Sequence, residues 1–355
     1  MSRKIVHVIG TGTIGEPLIG LLCDFKSELG IDDVTFHKHT PLTTDRSKVK
    51  SLIKRGARLT SHEEKIDGFN NIGLKVEFSA DAALDRASVV IDCTPKGFGH
   101  ENKKNYYEHH LDKTLGFVAQ GSESGFGKPY ARGINDETLV SGEDRFIQVV
   151  SCNTHNLSAI VKTIALDEDP DNLEEGRFIL IRRANDLSQS TSFIPSPQVG
   201  THSDATYGTH HARDAFHLFE TMNLKLNLFS SAMKLNTQYM HILHFHLKLK
   251  TPTSIQKIIT KLEKNDRIAL TDKINANEVF SFGRDHGHFG RILNQTVVSI
   301  PTLNVKNETE ITGFCFTPQD GNSLLSSIAA TEWFLYNHSY EDKIQCLKPY
   351  FYDEV

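Results

Sequence analysis

The sequence predicts an α/β protein with two domains, an N-terminal domain of alternating strands and helices and an α+β domain with a largely antiparallel sheet. A chain of 355 residues can bury two hydrophobic cores. Strand and helix patterns alternate through residues 1–150, whereas strands with a two-residue apolar period dominate afterwards. We expect the first domain to span 1–151, joined by a C-terminal helix in 320–355, and the second to span 152–319.

The glycine-rich segment near the N-terminus defines the first domain. A short apolar strand at Lys4–Ile9 leads into Gly10-Thr11-Gly12-Thr13-Ile14-Gly15, and a helical pattern follows. In this context GxGxxG permits a tight turn and brings a pyrophosphate close to a helix N-terminus. A purely structural glycine turn is the alternative. The flanking strand and helix favour a dinucleotide-binding domain of the Rossmann type.

The end of the second strand bears on which dinucleotide binds. The strand Asp33–His37 is followed by Lys38, where an acidic residue would normally bind the ribose 2′-hydroxyl of NAD. A cation at this position suits a 2′-phosphate, so we expect NADP, with NAD also accepted. A solvated surface lysine is the alternative reading.

Two further buried strands continue the parallel pattern. They are predicted at Ala87–Asp92 and Leu115–Ala119, and loops containing Cys93 and Gly121 follow them. Loops at the carboxyl ends of such strands are where a doubly wound sheet binds its ligand.

Cys152 stands at the transition between the two patterns. The apolar run Phe146–Val150 stops at Ser151-Cys152-Asn153-Thr154, and a helical pattern follows. The helix dipole and the free first-turn N–H groups would stabilise a thiolate there and lower the pKa of the thiol, which makes Cys152 a candidate nucleophile. A small buried cysteine that only packs is the alternative.

The second domain is read as a largely antiparallel sheet. Its strands are predicted at Gly176–Arg183, Leu224–Phe229, Tyr239–Lys250 and Thr296–Val305, the last interrupted at Pro301. The adjacent Arg182 and Arg183 point to opposite faces of a strand, so a phosphate or carboxylate ligand is a natural partner for one of them. A surface ion pair is the alternative.

Histidines mark two further places in this domain. His210 and His211 follow a Gly/Ser/Thr-rich loop and open a helical pattern, where they could bind an anionic substrate or only decorate the loop. His241 begins the inward-facing row of the strand that carries Leu243 and Phe245. This parity alone favours a core residue over an active-site base. After the last strand, a turn could bring Gln319 near the cofactor, and Asn322–Tyr336 has helical spacing.

The composition narrows the class of protein. Hydrophobic residues make up 38% and charged residues 23%, and the net charge of −5 gives no reason to expect nucleic acid or a membrane as partner. Five scattered cysteines lack the paired spacing of zinc sites, so we expect a reducing compartment and no metal. No signal peptide or membrane-spanning stretch is recognised, which predicts a cytoplasmic protein.

These motifs together resemble the type II, archaeal-type glyceraldehyde-3-phosphate dehydrogenases over nearly the whole chain. The shared features, in the family's order, are the glycine loop, Lys38 before Pro41, Asp92-Cys93-Thr94-Pro95, Val149-Val150-Ser151-Cys152-Asn153-Thr154, Arg182-Arg183-Ala184, His210-His211, Met240-His241 and Gln319.

The resemblance implies a phosphorylating oxidation of glyceraldehyde 3-phosphate with NAD(P) and inorganic phosphate, in a homotetramer. It implies Cys152 as the nucleophile that forms a thioester and His241 as the base. The implied cofactor contacts are Thr13, Ile14, Lys38, Gly121, Arg183 and Ala184, in addition to the loop glycines Gly10, Gly12 and Gly15 and to Gln319. The implied substrate contacts are Ser151, Asn153, Thr154, Arg182, His210 and His211.

The sequence departs from the family in a few places. His155 stands where the family usually has Thr, Ser122 where it has Gly and Leu243 where it has His, and the loop before His210 is longer. The alternative functions are a related acyl-phosphate or semialdehyde dehydrogenase and a non-catalytic NAD(P)-binding redox sensor.

Overall fold

The computed structural model of the chain describes residues 3–121, 123–186, 193–318 and 320–355. Contacts divide the chain into two compact units. The first unit comprises Met1–Lys128, Leu139–Val149 and Leu324–Lys348. The second unit comprises Pro129–Thr138, Val150–Ser323 and Pro349–Val355.

Strands and helices alternate in the first unit and mix in the second. The strands are β1 (Ile5–Ile9), β2 (Asp33–His37), β3 (Arg58–Ser61), β4 (Phe78–Ser79), β5 (Val89–Asp92), β6 (Gly116–Ala119), β7 (Lys128–Tyr130), β8 (Phe146–Val149), β9 (Leu173–Arg182), β10 (Gln198–Val199), β11 (Leu228–Lys234), β12 (His241–Leu249), β13 (Ile268–Thr271), β14 (Thr296–Lys306) and β15 (Glu310–Thr317). The α-helices are α1 (Gly15–Asp24), α2 (Arg46–Lys54), α3 (Ile66–Asn71), α4 (Ala80–Arg86), α5 (Phe98–Asn105), α6 (Cys152–Val161), α7 (His210–Glu220), α8 (Ile255–Glu263), α9 (Ala276–His286), α10 (Gly321–Tyr336) and α11 (Tyr340–Ile344).

Short helical turns supplement these elements. A π-helical turn at Lys162–Leu166 continues α6. Turns of 3₁₀ helix lie at Thr43–Asp45, Glu63–Lys65, Tyr107–His110, Asp136–Thr138, Asn337–Ser339 and Gln345–Tyr350. No helix of the described residues is long and apolar enough to cross a membrane.

The sheet of the first unit is parallel and doubly wound. Its strands follow the order β4-β3-β2-β1-β5-β6-β8-β7, and neighbouring strands from β4 to β8 pair in parallel. The chain runs outward from β1 through β2 and β3 and then returns to the other side of β1 at β5. The order therefore reverses between β1 and β5, which is the switch point where such sheets bind ligands. The predicted Rossmann-type fold is confirmed.

The central strands of this sheet are buried because helices cover both faces. All residues of β2 and of β5 are buried, as expected for apolar parallel strands. Helix α1 buries Leu18, Ile19 and Leu22 against the sheet. The short strands β3 and β4 were not predicted, because four and two residues are too few to show a period.

The sheet of the second unit has the order β10-β11-β9-β12-β15-β14-β13. The pairs β9–β12, β12–β15 and β14–β15 are antiparallel, whereas β11–β9 and β13–β14 are parallel. The predicted largely antiparallel sheet is confirmed. Along β12 buried and half-buried residues alternate from His241 to Leu249, so the predicted inward parity of His241 is also confirmed.

Two strand predictions in this unit need correction. The strand predicted at Leu224–Phe229 is wrong, because β11 runs over Leu228–Lys234. The serines of β11 interrupt the alternation of apolar and polar residues by which a strand is recognised. It pairs in parallel with β9, and residues 224–227 precede it. The strand β14 is continuous through Pro301, but its register against β15 shifts between Ser299 and Asn304. Proline has no N–H to donate, which fits this loss of pairing.

Candidate active site

The three glycines of the loop after β1 differ in what surrounds them. Gly10 has a φ of +98°, and a Cβ there would lie 2.9 Å from the carbonyl oxygen of Cys93. A Cβ on Gly15 would lie 2.1 Å from the carbonyl oxygen of Gly10. A Cβ on Gly12 would meet nothing within 4 Å, and this residue is exposed. Gly10 and Gly15 are thus needed for the turn and its packing, and Gly12 leaves backbone open to a ligand.

This loop fits a dinucleotide pyrophosphate. Helix α1 begins at Gly15, so first-turn N–H groups lie beside the open backbone of Gly12. The predicted contacts Thr13 and Ile14 are half-buried in the same turn. Lys48 Nζ donates to the carbonyl oxygen of Thr11 (3.1 Å), which adds a cation to the loop.

Asp92 at the end of β5 organises the neighbouring loop. Its carboxylate accepts hydrogen bonds from the N–H of Thr94 (2.9 Å), from Asn102 Nδ2 (2.8 Å) and from Tyr107 Oη (2.5 Å). The Thr94 hydroxyl donates to it as well. The predicted contact Gly121 follows β6 and is half-buried. The end of β5 therefore carries a loop held by hydrogen bonds, on the side of the sheet where a ligand would bind.

Lys38 is neither solvated nor free. It is buried, and its Nζ lies 2.5 Å from Asp45 Oδ2, while Lys48 Nζ lies 3.4 Å from Asp45 Oδ1. Partial burial alone would raise the pKa of Asp45, but the hydrogen bond and charge of Lys38, followed by those of Lys48, lower it. The alternative of a solvated surface lysine is wrong. A 2′-phosphate that reached Lys38 would find its ammonium group already paired with the carboxylate of Asp45.

Cys152 lies at the first position of α6, as predicted. The N-cap is Ser151, whose Oγ accepts from the N–H of Thr154 (3.2 Å) and hydrogen-bonds to Thr154 Oγ1 (2.9 Å). Asn322 Nδ2 donates to the carbonyl oxygen of Cys152 (3.0 Å). The cap and this amide fix the backbone around the thiol.

The predicted lowering of the Cys152 pKa is wrong for this structure. Desolvation, followed by the negative charge of Asp320, raises the pKa of the thiol to about 12. Arg183 opposes this shift by a smaller amount. The residue is partly exposed as a whole, yet protein surrounds its sulfur closely enough for desolvation to dominate. The helix N-terminus therefore does not by itself produce a thiolate here.

Strand pairing brings several predicted residues to one edge of the second sheet. Arg182 ends β9 and His241 begins β12, and these antiparallel neighbours pair at Ile181 and Ile242. His241 also pairs with Thr317 at the end of β15. Both Arg182 and Arg183 contribute to the electrostatic environment of Cys152 and of His241. Residues that are far apart in sequence thus share one electrostatic neighbourhood.

The two arginines play different parts. Arg183 is buried, and its Nη2 lies 3.1 Å from Asp186 Oδ1 and 3.4 Å from Asp320 Oδ2. Arg182 is half-buried, and its Nε is a buried atom without a hydrogen-bond partner among the described residues, as is Nε of Arg183. A buried donor without a partner is unfavourable, so these groups fit an anionic ligand.

His241 is a buried neutral ring. The backbone N–H of Arg183 donates to its Nδ1 (3.1 Å), so the proton of the neutral ring belongs on Nε2. Burial, followed by the charges of Arg183 and Arg182, holds the pKa of His241 well below its usual value. In this tautomer Nε2 donates a hydrogen bond and cannot accept a proton. The arrangement does not favour the base predicted from the resemblance.

His210 and His211 open α7, after the N-cap Thr209. Their ring centroids lie 3.9 Å apart, His210 is exposed and His211 is buried. Burial, followed by His210, Arg182 and His241, holds the pKa of His211 well below its usual value. His211 therefore shares the electrostatic neighbourhood of Arg182 and His241, and His210 presents a polar edge to solvent.

A buried polar network lies behind Cys152. Thr317 Oγ1 donates to Asn153 Oδ1 (3.1 Å) and accepts from Asn156 Nδ2 (2.8 Å). Cys315 donates to Asn156 Oδ1 (3.1 Å). Asn153 is thus engaged in holding α6 against β15. His155 is fully buried, and its Nδ1 hydrogen-bonds to the carbonyl oxygen of Ser151 (3.0 Å), so it is a core residue of the same helix.

Asp320 and Asp45 were not predicted as site residues from the sequence. Asp320 is buried, adopts a φ of +62° and contacts Arg183, and its only sequence signal is its place in a turn before glycine. Asp45 lies in a short 3₁₀ turn whose sequence has no recognisable pattern.

Two predicted cofactor contacts remain to be placed. Ala184 is buried, and its N–H donates to the carbonyl oxygen of Thr237 (2.8 Å). Gln319 lies outside the described residues.

The fold and these two sites define a doubly wound α/β protein whose first unit carries a glycine-rich loop and whose second unit carries a cysteine among arginines and histidines. Three relatives bear the name glyceraldehyde-3-phosphate dehydrogenase. The chain is 28% identical to the one of Methanobacterium bryantii, over 75% of this chain and 74% of that protein. It is 26% identical to the one of Sulfolobus acidocaldarius (84% and 82%) and 26% identical to the one of Methanothermus fervidus (75% and 73%).

These similarities span most of each chain and confirm the predicted resemblance to the archaeal-type glyceraldehyde-3-phosphate dehydrogenases. No family model matches the sequence.

Proposed function

We propose that the protein is a phosphorylating glyceraldehyde-3-phosphate dehydrogenase. It would oxidise glyceraldehyde 3-phosphate with NAD(P) and inorganic phosphate to 1,3-bisphosphoglycerate. The observation that carries the proposal is the common environment of Cys152, Arg182 and His241 in the second unit of a chain similar to enzymes of that name. The first unit is then the dinucleotide-binding domain and the second the catalytic domain.

Cationic and polar side chains of the second unit suit a phosphorylated substrate. Arg182 Nε, the exposed His210 and the neighbouring His211 would bind anionic groups of substrate and phosphate. Ser151, Asn153 and Thr154 hold the first turn of α6 and so orient Cys152. Arg183 and Ala184 would approach the cofactor, as the resemblance implies.

The chemistry proceeds through the sulfur of Cys152. Cys152 first loses its thiol proton to solvent, a step that desolvation opposes and the charges of Arg183 and Arg182 favour. The resulting thiolate adds to the aldehyde carbon, and the carbonyl oxygen becomes an alkoxide. The alkoxide collapses to a thioester as hydride leaves the carbon. A bound nicotinamide dinucleotide would accept that hydride. Phosphate then attacks the thioester, the carbon–sulfur bond breaks, and the thiolate of Cys152 returns as the acyl phosphate leaves.

We propose His241 as a hydrogen-bond donor to this alkoxide, in place of the base role. His241→Ala should lower kcat about 10²–10³-fold, since it removes a donor to a developing negative charge. His241→Gln offers an amide N–H and should retain at least tenfold more activity than His241→Ala. Steady-state kinetics across pH tests this, with circular dichroism as the check on folding. Equal losses in both variants, together with an acid limb that disappears from the pH profile, would support a base.

Asp45 is expected to limit NADP binding. Its carboxylate occupies Lys38 and Lys48 and would repel a 2′-phosphate. Asp45→Asn should therefore raise the ratio of kcat/KM for NADP over NAD by about tenfold. Lys38→Met should shift that ratio the opposite way. The result that contradicts this account is an unchanged ratio in both variants, because Lys38 would then lie outside the 2′-site.

The assay that tests the function measures reduction of NADP and of NAD with glyceraldehyde 3-phosphate, with and without inorganic phosphate. We expect sustained turnover only with phosphate. Activity on aspartate semialdehyde or N-acetylglutamate semialdehyde in its place would establish a related acyl-phosphate dehydrogenase. Dinucleotide binding without any turnover would favour the alternative function, a non-catalytic redox sensor.

We also propose that the protein is a cytoplasmic homotetramer. Light scattering of the purified protein would test the number of subunits.

A further inference from the structure

Three histidines of the first unit form a group that the dehydrogenase reaction does not use. His37 ends β2, His39 follows two residues later, and His62 directly follows β3. Parallel pairing of β2 with β3 brings these strand ends together, with His37 opposite Thr60. One ring nitrogen from each histidine lies within 4.8 Å of the others.

The spacing of the rings matches that of imidazoles around one metal ion. The centroids of His37 and His62 lie 4.8 Å apart, and those of His39 and His62 lie 5.5 Å apart. Tetrahedral coordination with Zn–N bonds of about 2 Å places neighbouring imidazole centroids roughly 5 Å apart. Small side-chain rotations would therefore bring three nitrogens onto one cation.

The ring nitrogens are not engaged elsewhere in the part of the chain that the structure describes. His37, His39 and His62 contact one another edge to face, and no hydrogen bond or ion pair of their rings is found there. Nearby His7 differs, because its Nδ1 is hydrogen-bonded to Thr35 Oγ1 (2.7 Å). The three rings therefore offer ligand atoms without breaking an existing interaction.

A cavity of about 380 Å³ adjoins the group. All three histidines line it, together with Ile9 at the end of β1 and with Thr94 and Pro95 after β5. A metal held by three protein ligands keeps a fourth position for water or another ligand. The cavity supplies the space for that fourth position.

We propose that His37, His39 and His62 bind a divalent transition-metal cation of the zinc class. Imidazole ligands suit Zn²⁺, Co²⁺, Ni²⁺ and Cu²⁺, whereas Mg²⁺ and Ca²⁺ prefer oxygen. Sequence spacing does not single out this group, because its ligands come from the ends of two strands, separated by β3 and the helix α2.

The site also bears on cofactor binding, and this consequence rests on the proposed function. The cavity opens at the carboxyl ends of β1, β2 and β5, beside the switch point where a dinucleotide would bind. A cation with its fourth ligand in this cavity occupies space that the dinucleotide needs. The cation and the dinucleotide should therefore exclude each other.

The test titrates the full-length protein with Co²⁺ alone and records its visible absorption. We expect tetrahedral d–d bands without a thiolate charge-transfer band, displaced by Zn²⁺ and unaffected by Mg²⁺. His39→Ala and His62→Ala should each weaken Co²⁺ binding at least tenfold. His39 is exposed, so its removal should not disturb folding, and the equally exposed His109→Ala is the matched control. Unchanged Co²⁺ binding in His39→Ala, or loss of it in His109→Ala, would overturn the site.

A second titration separates the metal site from the proposed function. The Kd for NADP, measured by fluorescence, should rise at least tenfold with saturating Zn²⁺ in the wild type and not in His39→Ala. If Zn²⁺ binds at the histidines and the Kd for NADP does not change, mutual exclusion is wrong. If neither NADP nor NAD binds at all while Co²⁺ binding depends on His39 and His62, the proposed function fails and the metal site stands.

Discussion

Cys152→Ser is expected to abolish turnover while dinucleotide binding stays nearly unchanged. The serine hydroxyl is a far weaker nucleophile than the thiolate, and a thioester cannot form on it. The loss in kcat should be about 10³-fold or more, since removal of a nucleophile leaves only binding and electrostatic contributions. The Kd for NADP should change little, because Cys152 belongs to the second unit and the glycine loop to the first.

Loss of a different cysteine serves as the control for Cys152→Ser. Cys346→Ser replaces another partly exposed cysteine, in the first unit, and should keep normal kcat. Wild-type turnover in Cys152→Ser would show that Cys152 is not the nucleophile. A large loss of NADP affinity in this variant would mean that the substitution disturbs more than the chemistry.

Glu332→Gln should stabilise the protein increasingly as pH rises towards 8. Glu332 lies on α10 in the first unit, is fully buried, and neither carboxyl oxygen has a hydrogen-bond partner among the described residues. Burial raises its pKa from the usual 4.5 to about 8, against the opposing charges of Lys343 and Lys4. Ionising such a group in the folded protein is costly, and glutamine cannot ionise.

The sign of the pH dependence follows from the raised pKa. Between pH 4.5 and 8 the folded protein keeps a proton on Glu332 that the unfolded chain releases, so its contribution to stability declines as pH rises. The stability gain of Glu332→Gln over the wild type should thus grow by about 3 kcal/mol from pH 5 to pH 8. Urea unfolding at both pH values measures it. Exposed Glu108→Gln is the control, and a gain that does not vary with pH would contradict the raised pKa.

Much of the fold could be predicted because local patterns agree with the tertiary structure. The strand Asp33–His37, the start of α6 at Cys152 and the inward parity of β12 follow directly from apolar spacing and capping residues. The strand β11 could not be recognised, because its serines and lysine interrupt the apolar period and its pairing with β10 and β9 is a tertiary contact.

The sequence predicted which residues form the site better than it predicted their pKa values, tautomers and ion pairs. Capping and spacing located Cys152 and His210, but the thiol pKa depends on burial and on Asp320, which lies far away in the chain. The tautomer of His241 depends on a backbone N–H from the neighbouring strand end. The partner of Lys38 lies in a turn without a pattern. Each of these properties arises from tertiary contacts that local sequence does not encode.

The most direct test of the proposed chemistry is mass spectrometry of the protein after it is mixed with glyceraldehyde 3-phosphate and NADP in the absence of inorganic phosphate. The proposed mechanism predicts a stoichiometric burst of NADPH and a 3-phosphoglyceroyl adduct on Cys152, which inorganic phosphate discharges. Sustained NADPH formation without phosphate and without an adduct, or an adduct on a different cysteine, would contradict it.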